Sequence, residues 1–71
     1  MKILTEDNVI VTVGDRAFNY YDMKVGQIIS EPEWDGWFKF HQDDGSETEL
    51  NGERICSLDF ANKKGWIKDE S

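Results

Sequence analysis

Turn-forming residues recur along this chain at short intervals, and that spacing constrains its fold more than any other feature. Val13-Gly14-Asp15, Val25-Gly26, Pro32 through Gly36, Asp43-Asp44-Gly45 and Asn51-Gly52 divide it into short runs rich in β-branched and aromatic residues. Intervals of roughly 8–12 residues suit short strands and leave no room for the helices of α/β units. The pattern predicts an all-β fold, a sandwich or small barrel. The chain has 71 residues, below the usual domain size of ~100–150. A single domain over residues 1–71 is therefore expected, with its core at about 8–67. The lone Cys56 rules out an internal disulfide, so packing alone must hold the fold.

Alternation places the strands. Asn8–Val13 reads as the first, with Val9, Val11 and Val13 on one face. Arg16–Tyr20, Gln27–Ser30, Trp37–His41 and Glu47–Leu50 follow, and Ile55-Cys56 belongs to a last strand. Pro32 closes the third strand or lies in the loop after it, because it has no N–H to donate. Asp44-Gly45 marks a hairpin, since glycine readily takes the positive φ of such turns. Beyond Ser57 the pattern changes. Ser57 is placed as the cap of a short helix, Leu58–Lys64, with Asp59 in its first turn, Lys63 and Lys64 in its last, and Gly65 just beyond. Trp66 is expected to fold back as a latch.

The same alternation sorts the aromatic residues. Phe38 and Phe40 share a face opposite Trp37, Lys39 and His41, and Lys39 must reach water, so Phe38 and Phe40 point inward and Trp37 outward. Thr48 and Leu50 then face in, and Glu47 and Glu49 out. Arg16, Phe18 and Tyr20 share one face of the second strand, so a solvated Arg16 predicts Phe18 and Tyr20 at the surface.

Charge is unevenly distributed. The formal net charge is −7. The window from Glu31 to Glu53 holds Glu31, Glu33, Asp35, Asp43, Asp44, Glu47, Glu49 and Glu53 against Lys39 alone, while the remainder of the chain is balanced. Such a field steers cationic partners and repels anionic ones, and it also serves simple solubility. It argues against direct nucleic-acid binding, where Lys and Arg must neutralise phosphates. With no apolar run long enough to span a bilayer and no signal-peptide pattern, the expected setting is cytoplasmic, away from membranes.

Several of these segments together resemble an SH3-like small barrel of the KOW or Tudor type. Gly14-Asp15-Arg16-Ala17 is similar to the opening Gly-Asp-x-Val of such barrels, and Gly26-Gln27-Ile28 resembles their next strand after a variable loop. Asp35-Gly36-Trp37-Phe38-Lys39-Phe40 is similar to the Gly-x-Trp-Tyr/Phe strand of Tudor-like domains. Asp43-Asp44-Gly45 and then Leu50-Asn51-Gly52-Glu53-Arg54-Ile55 resemble the fourth strand and the short turn into the last. The resemblance runs from Val13 to about Ser57 and implies one barrel of about five strands with a short C-terminal helix. RNA-binding KOW modules are usually basic, whereas the corresponding loops here are acidic. Methyl-lysine-reading Tudor domains use an aromatic cage, for which Tyr20, Tyr21, Trp34 and Trp37 are the cage-like residues here.

The candidate site follows from those rings and the acids beside them. Phe18, Tyr20, Tyr21, Trp34 and Trp37 offer apolar anchors, with Asp35, Glu47 and Glu49 as a charged rim. Rings and carboxylates together suit a cationic side chain or basic peptide, each cation–π contact contributing ~0.5–2 kcal/mol. A small core can also use the same rings for packing. His41, Asp43, Asp44, Glu47 and Glu49 lack the spacing of a calcium loop, so no metal site is expected. A Cys56–His41 pair is arithmetically possible, but Cys56 reads as a small buried apolar residue. No phosphate loop, Cys-x-x-Cys pair or nucleophile elbow is present, and so no catalytic residue or cofactor is assigned. The expected function is a non-enzymatic interaction module whose protein partner has a basic surface. The alternatives are a nucleic-acid-associated accessory barrel or an acidic DNA mimic. The valine-rich edge Asn8–Val13 also makes a homodimer possible.

Overall fold

A computed structural model describes residues 2–67 of the chain. Seven short strands and one helix appear in order: β1 Ile3–Leu4, β2 Ile10–Val11, β3 Arg16–Asn19, β4 Lys24–Ile28, β5 Phe38–Gln42, β6 Glu47–Leu50, β7 Ile55–Cys56 and α1 Leu58–Lys63. A 3-10 turn, Gly52–Arg54, joins β6 to β7. β1 and β2 form a two-stranded ribbon, and the other strands form an antiparallel sheet in the order β6-β5-β4-β3-β7.

That order requires curvature. β3 to β6 run as a meander, yet β7 pairs with β3, at the edge opposite β6. Four strand spacings of ~4.8 Å would separate β6 from β7 by ~19 Å on a flat sheet. The link between them is mostly a 3-10 turn, which advances only ~2 Å per residue. The sheet closes the gap by curling into a half-barrel. Gly26 sits at the middle of the curl, paired with Gln42 across β4 and β5. A Cβ there would lie 2.5 Å from the His41 carbonyl oxygen and 2.6 Å from the Phe40 ring. The Phe40 ring occupies the space that a side chain would need.

Two apolar clusters hold the chain together, one on each face of the sheet. Inside the curl, Ala17, Ile28, Phe38, Phe40, Leu50 and Ile55 pack with Ile3 and Val11 of the ribbon. The core therefore begins at Ile3, before the boundary near residue 8 expected from the sequence. On the outer face, Phe18, Cys56 and Ala61 are buried, with Tyr20, Val25, Leu58, Phe60 and Ile67 packed around them. Asn19 and Gln42 are buried polar residues of the inner face, and they bond to each other. Asn19 Nδ2 donates to Gln42 Oε1 at 3.0 Å, and Gln42 Nε2 donates to Ser46 Oγ at 2.7 Å. The Asn19 side-chain oxygen also accepts the Tyr21 and Asp22 N–H groups, which shapes the β3–β4 turn without a glycine.

The helix forms where its signals place it. Ser57 Oγ accepts the Phe60 N–H at 3.1 Å as the N-cap. At the other end Trp66 N–H donates to the Ala61 carbonyl and Gly65 N–H to that of Asn62, with Gly65 at φ +78°. This is the glycine-closed helix end that folds the following residue back over the last turns. Trp66 accordingly stacks on Phe18 and Tyr20 and meets Phe60 edge-on.

Four expectations need correction. The first strand is not Asn8–Val13. Only Ile10–Val11 pairs, with Val11 buried, because Thr12 N–H turns instead to the Asp15 carboxylate at 2.9 Å. The two-residue strand β1, too short to show alternation, covers one of its edges. Strand β4 runs Lys24–Ile28 rather than Gln27–Ser30, since Val25-Gly26 is mid-strand and not a turn. Strand β5 is shifted by one residue, to Phe38–Gln42. Phe18 is 1% exposed rather than at the surface. It shares the outer face with Arg16, but α1 and Trp66 cover that face at Phe18 and leave it open at Arg16.

Candidate functional site

The acidic side chains of the window are all exposed, but their charges are not equally available. The β5–β6 hairpin tip is compensated by bases from the neighbouring strands. Arg16 pairs with Asp43 at 2.5 Å and Lys24 with Asp44 at 2.6 Å. The Lys24 ammonium, with hydrogen bonds from Ser46, holds the Asp44 carboxyl well below the usual carboxylate range. His41 lies 3.6 Å from Glu47, its cross-strand neighbour, and Glu49 sits opposite Lys39 in the same ladder. Glu33, Asp35 and Glu53 make no ion pair among the described residues. The uncompensated negative charge thus lies toward the 29–37 loop and the 3-10 turn.

That loop presents Trp34. The segment is held by its own hydrogen bonds. Ile29 N–H donates to the Lys39 carbonyl at 3.0 Å, and Lys39 N–H to Ser30 Oγ at 2.8 Å. Nearer the tip, Glu33 N–H reaches the Trp37 carbonyl and Gly36 N–H the Glu33 carbonyl, each at 2.8 Å, while Trp37 N–H donates to Asp35 Oδ1 at 3.2 Å. Gly36 closes the turn at φ +88°. Trp34 stands at this closed tip, 96% exposed, and contacts no other ring. A residue type that normally buries its large apolar body is here presented to water on a braced turn.

The remaining rings form a continuous strip rather than an open cage. Phe18 lies under Trp66, Tyr20 stacks on Trp66 and meets Tyr21 at a tilt, and the Tyr20 hydroxyl donates to the Glu53 carbonyl. Burial, reinforced by Glu6, raises the Tyr20 phenol above its ordinary value. Tyr21 and Trp37 do come together, but around a cation from the same chain. The Arg54 guanidinium carbon is 4.7 Å from the Tyr21 ring centroid and 5.2 Å from that of Trp37. Sequence reasoning missed Arg54, whose ring partners lie far from it along the chain, and no local pattern marks it. Trp34 stands apart from this strip, so the four cage-like rings do not converge.

Two further groups are structural. Asp7 accepts hydrogen bonds from Thr5 Oγ1 at 2.6 Å, Ser57 Oγ at 2.6 Å and Ser57 N–H at 3.0 Å, tying the N-terminal ribbon to the helix cap. Partial burial pushes its carboxyl upward, but these donors outweigh that and hold it below the ordinary carboxylate value. Burial, with Asp7 nearby, pushes the Cys56 thiol up to about 11, so it is not poised as a nucleophile. Among the described residues no helix is long and apolar enough to cross a membrane.

Fold and surface together define the class as a small all-β domain with a curled sheet, a short C-terminal helix and a braced, exposed tryptophan loop. No protein-family model, curated protein or solved structure matches the chain.

Proposed function

We propose that this chain is a non-enzymatic protein-interaction module, an SH3-like barrel of the KOW or Tudor kind, whose partner presents a basic surface. The observation that carries this reading is Trp34, fully exposed on a loop already closed by hydrogen bonds. Binding then orders little that is not already ordered, and burying the indole returns the apolar free energy its exposure costs. Glu33 and Asp35 flank the ring and favour a cationic rim on the partner. The half-barrel and the 3-10 turn before the last strand support the barrel type. The DNA-mimic reading draws less support, because Arg16 and Lys24 compensate two of the acids that such a mimic would display.

The test uses the three indole N–H signals of the isotope-labelled chain during titration with a lysine-rich peptide. The Trp34 signal is expected to shift first and furthest, with the effect reduced by added salt. A response at Trp37 or Trp66 with Trp34 unmoved would overturn the assignment of the anchor.

A further inference from the structure

We infer that Arg54, held between Tyr21 and Trp37, is a receptor for a partner's carboxylate, and that the matching ligand is an acidic side chain flanked by basic residues. The proposal rests on the interaction-module reading and specifies the chemistry that the Tyr21–Arg54–Trp37 group receives.

Chain topology brings three distant segments to one place: Tyr21 from the β3–β4 turn, Trp37 from the end of the 29–37 loop, and Arg54 from the 3-10 turn. The turn itself is fixed, since Asn51 caps it by accepting the Glu53 N–H and Arg54 N–H donates to the Asn51 carbonyl. Ring contact with a guanidinium uses its flat faces and leaves its in-plane N–H groups free. Among the described residues those N–H groups have no hydrogen-bond or ion-pair partner. Among the described residues no buried side-chain nitrogen or oxygen lacks a partner, so the unpaired donors of Arg54 reach solvent. Arg16, the only other arginine, is already committed to Asp43.

A guanidinium held this way has lost part of its rotamer freedom before any ligand arrives. Its free edge matches the two oxygens of a carboxylate. Trp, Tyr and Arg are also the residue types that dominate binding energy at protein interfaces. The surrounding charge selects among anions. With a net charge of −7, the protein repels a polyanion or a phosphate dianion more strongly than a single carboxylate. Asp22 follows Tyr21, Glu53 precedes Arg54 and Asp35 lies two residues before Trp37, and none of the three makes an ion pair among the described residues. One cation within an acidic surround is complemented by one acid within a basic surround.

The test compares two blocked tripeptides, Lys-Glu-Lys and Lys-Gln-Lys, on the full chain, reading the two arginine Nε–H signals and the indole signals together. The Glu peptide is expected to shift the Arg54 Nε–H saturably and to bind about fivefold or more tighter than the Gln peptide, as for a favourable charge-assisted pair. Arg16 should stay still. Arg54→Lys keeps the charge without the fork and should abolish the discrimination, and Arg54→Gln should do the same, with a dispersed spectrum confirming the fold. Equal shifts from both peptides, no Arg54 response, or the same response at Arg16 would overturn the carboxylate receptor. If Trp34 responds to both peptides while Arg54 does not discriminate, this inference fails and the basic-partner reading stands. If Arg54 discriminates and Trp34→Ala leaves binding unchanged, the receptor stands and the anchor assignment fails.

Discussion

Replacing Asp7 by asparagine removes the charged acceptor that joins the N-terminal ribbon to the helix cap. Thr5 Oγ1, Ser57 Oγ and Ser57 N–H all donate to the native carboxylate. Asparagine keeps one oxygen and turns an amino group toward donors, so at least one of these bonds is lost and the others weaken. Hydrogen bonds to charged groups contribute about 1.5–3 kcal/mol each where they are buried. Asp7 is only partly buried, so water replaces part of the loss and the expected cost is about 1–3 kcal/mol. For a domain of this size that lowers the melting temperature by about 5–20 °C. The dependence on pH has a definite sign. The folded carboxyl titrates below its unfolded value, so its contribution is full above the unfolded pKa and drains away as pH falls through the folded one. Urea melts of wild type and Asp7→Asn should differ at pH near 7, and the difference should shrink as pH falls through the folded pKa of Asp7. A difference under about 0.5 kcal/mol at neutral pH, or one unchanged in acid, would refute the role assigned to Asp7.

Other substitutions probe the two cores and the thiol. Phe18→Ala should cost about 3–5 kcal/mol in chemical denaturation, because the ring is buried beneath Trp66 and the helix; a surface anchor would tolerate the change. Gly26→Ala should destabilise by about 3 kcal/mol or more, since its Cβ would meet backbone at 2.5 Å, and a neutral result in the same melts would show that the curl relaxes there. Cys56, with its thiol pushed up to about 11, should resist an aromatic disulfide reagent at about pH 8 until the chain unfolds. Labelling of the native protein at the rate of a free thiol would contradict that burial.

What the sequence revealed and what it concealed divide along a physical line. Signals that act within a few residues read through: the Asp44-Gly45 hairpin, strand β6 with Leu50 inward, Ser57 as a helix cap, Gly65 beyond the helix, and the alternation that buries Phe38 and Phe40. Signals whose cause lies elsewhere in the chain did not. Gly26 looks like a turn residue, yet it is glycine because the Phe40 ring lies where a Cβ would go. The real β3–β4 turn carries no glycine, being shaped by Asn19 with Met23 at φ +59°. Phe18 was placed outward by its neighbour Arg16, a rule that holds only while one face of a strand has one environment along its length. Here the helix divides that face in two. Apart from Phe18, the rings of the candidate site were legible as exposed or half-exposed residues, but the Tyr21–Arg54–Trp37 contact was not. It depends on the 3-10 turn returning the chain to the first strand of the sheet.

The central claim, that Trp34 anchors a partner with a basic surface, is tested most directly by affinity capture with the full chain beside Trp34→Ala. Lysate of the source organism would be used at low and moderate salt. Trp34 has no packing role, so the variant should melt within about 0.5 kcal/mol of wild type. The account predicts one basic protein retained by wild type, weakened but still bound at moderate salt, and lost with Trp34→Ala. Capture of the same protein at equal strength by Trp34→Ala, or capture that vanishes entirely with salt in both, would contradict it.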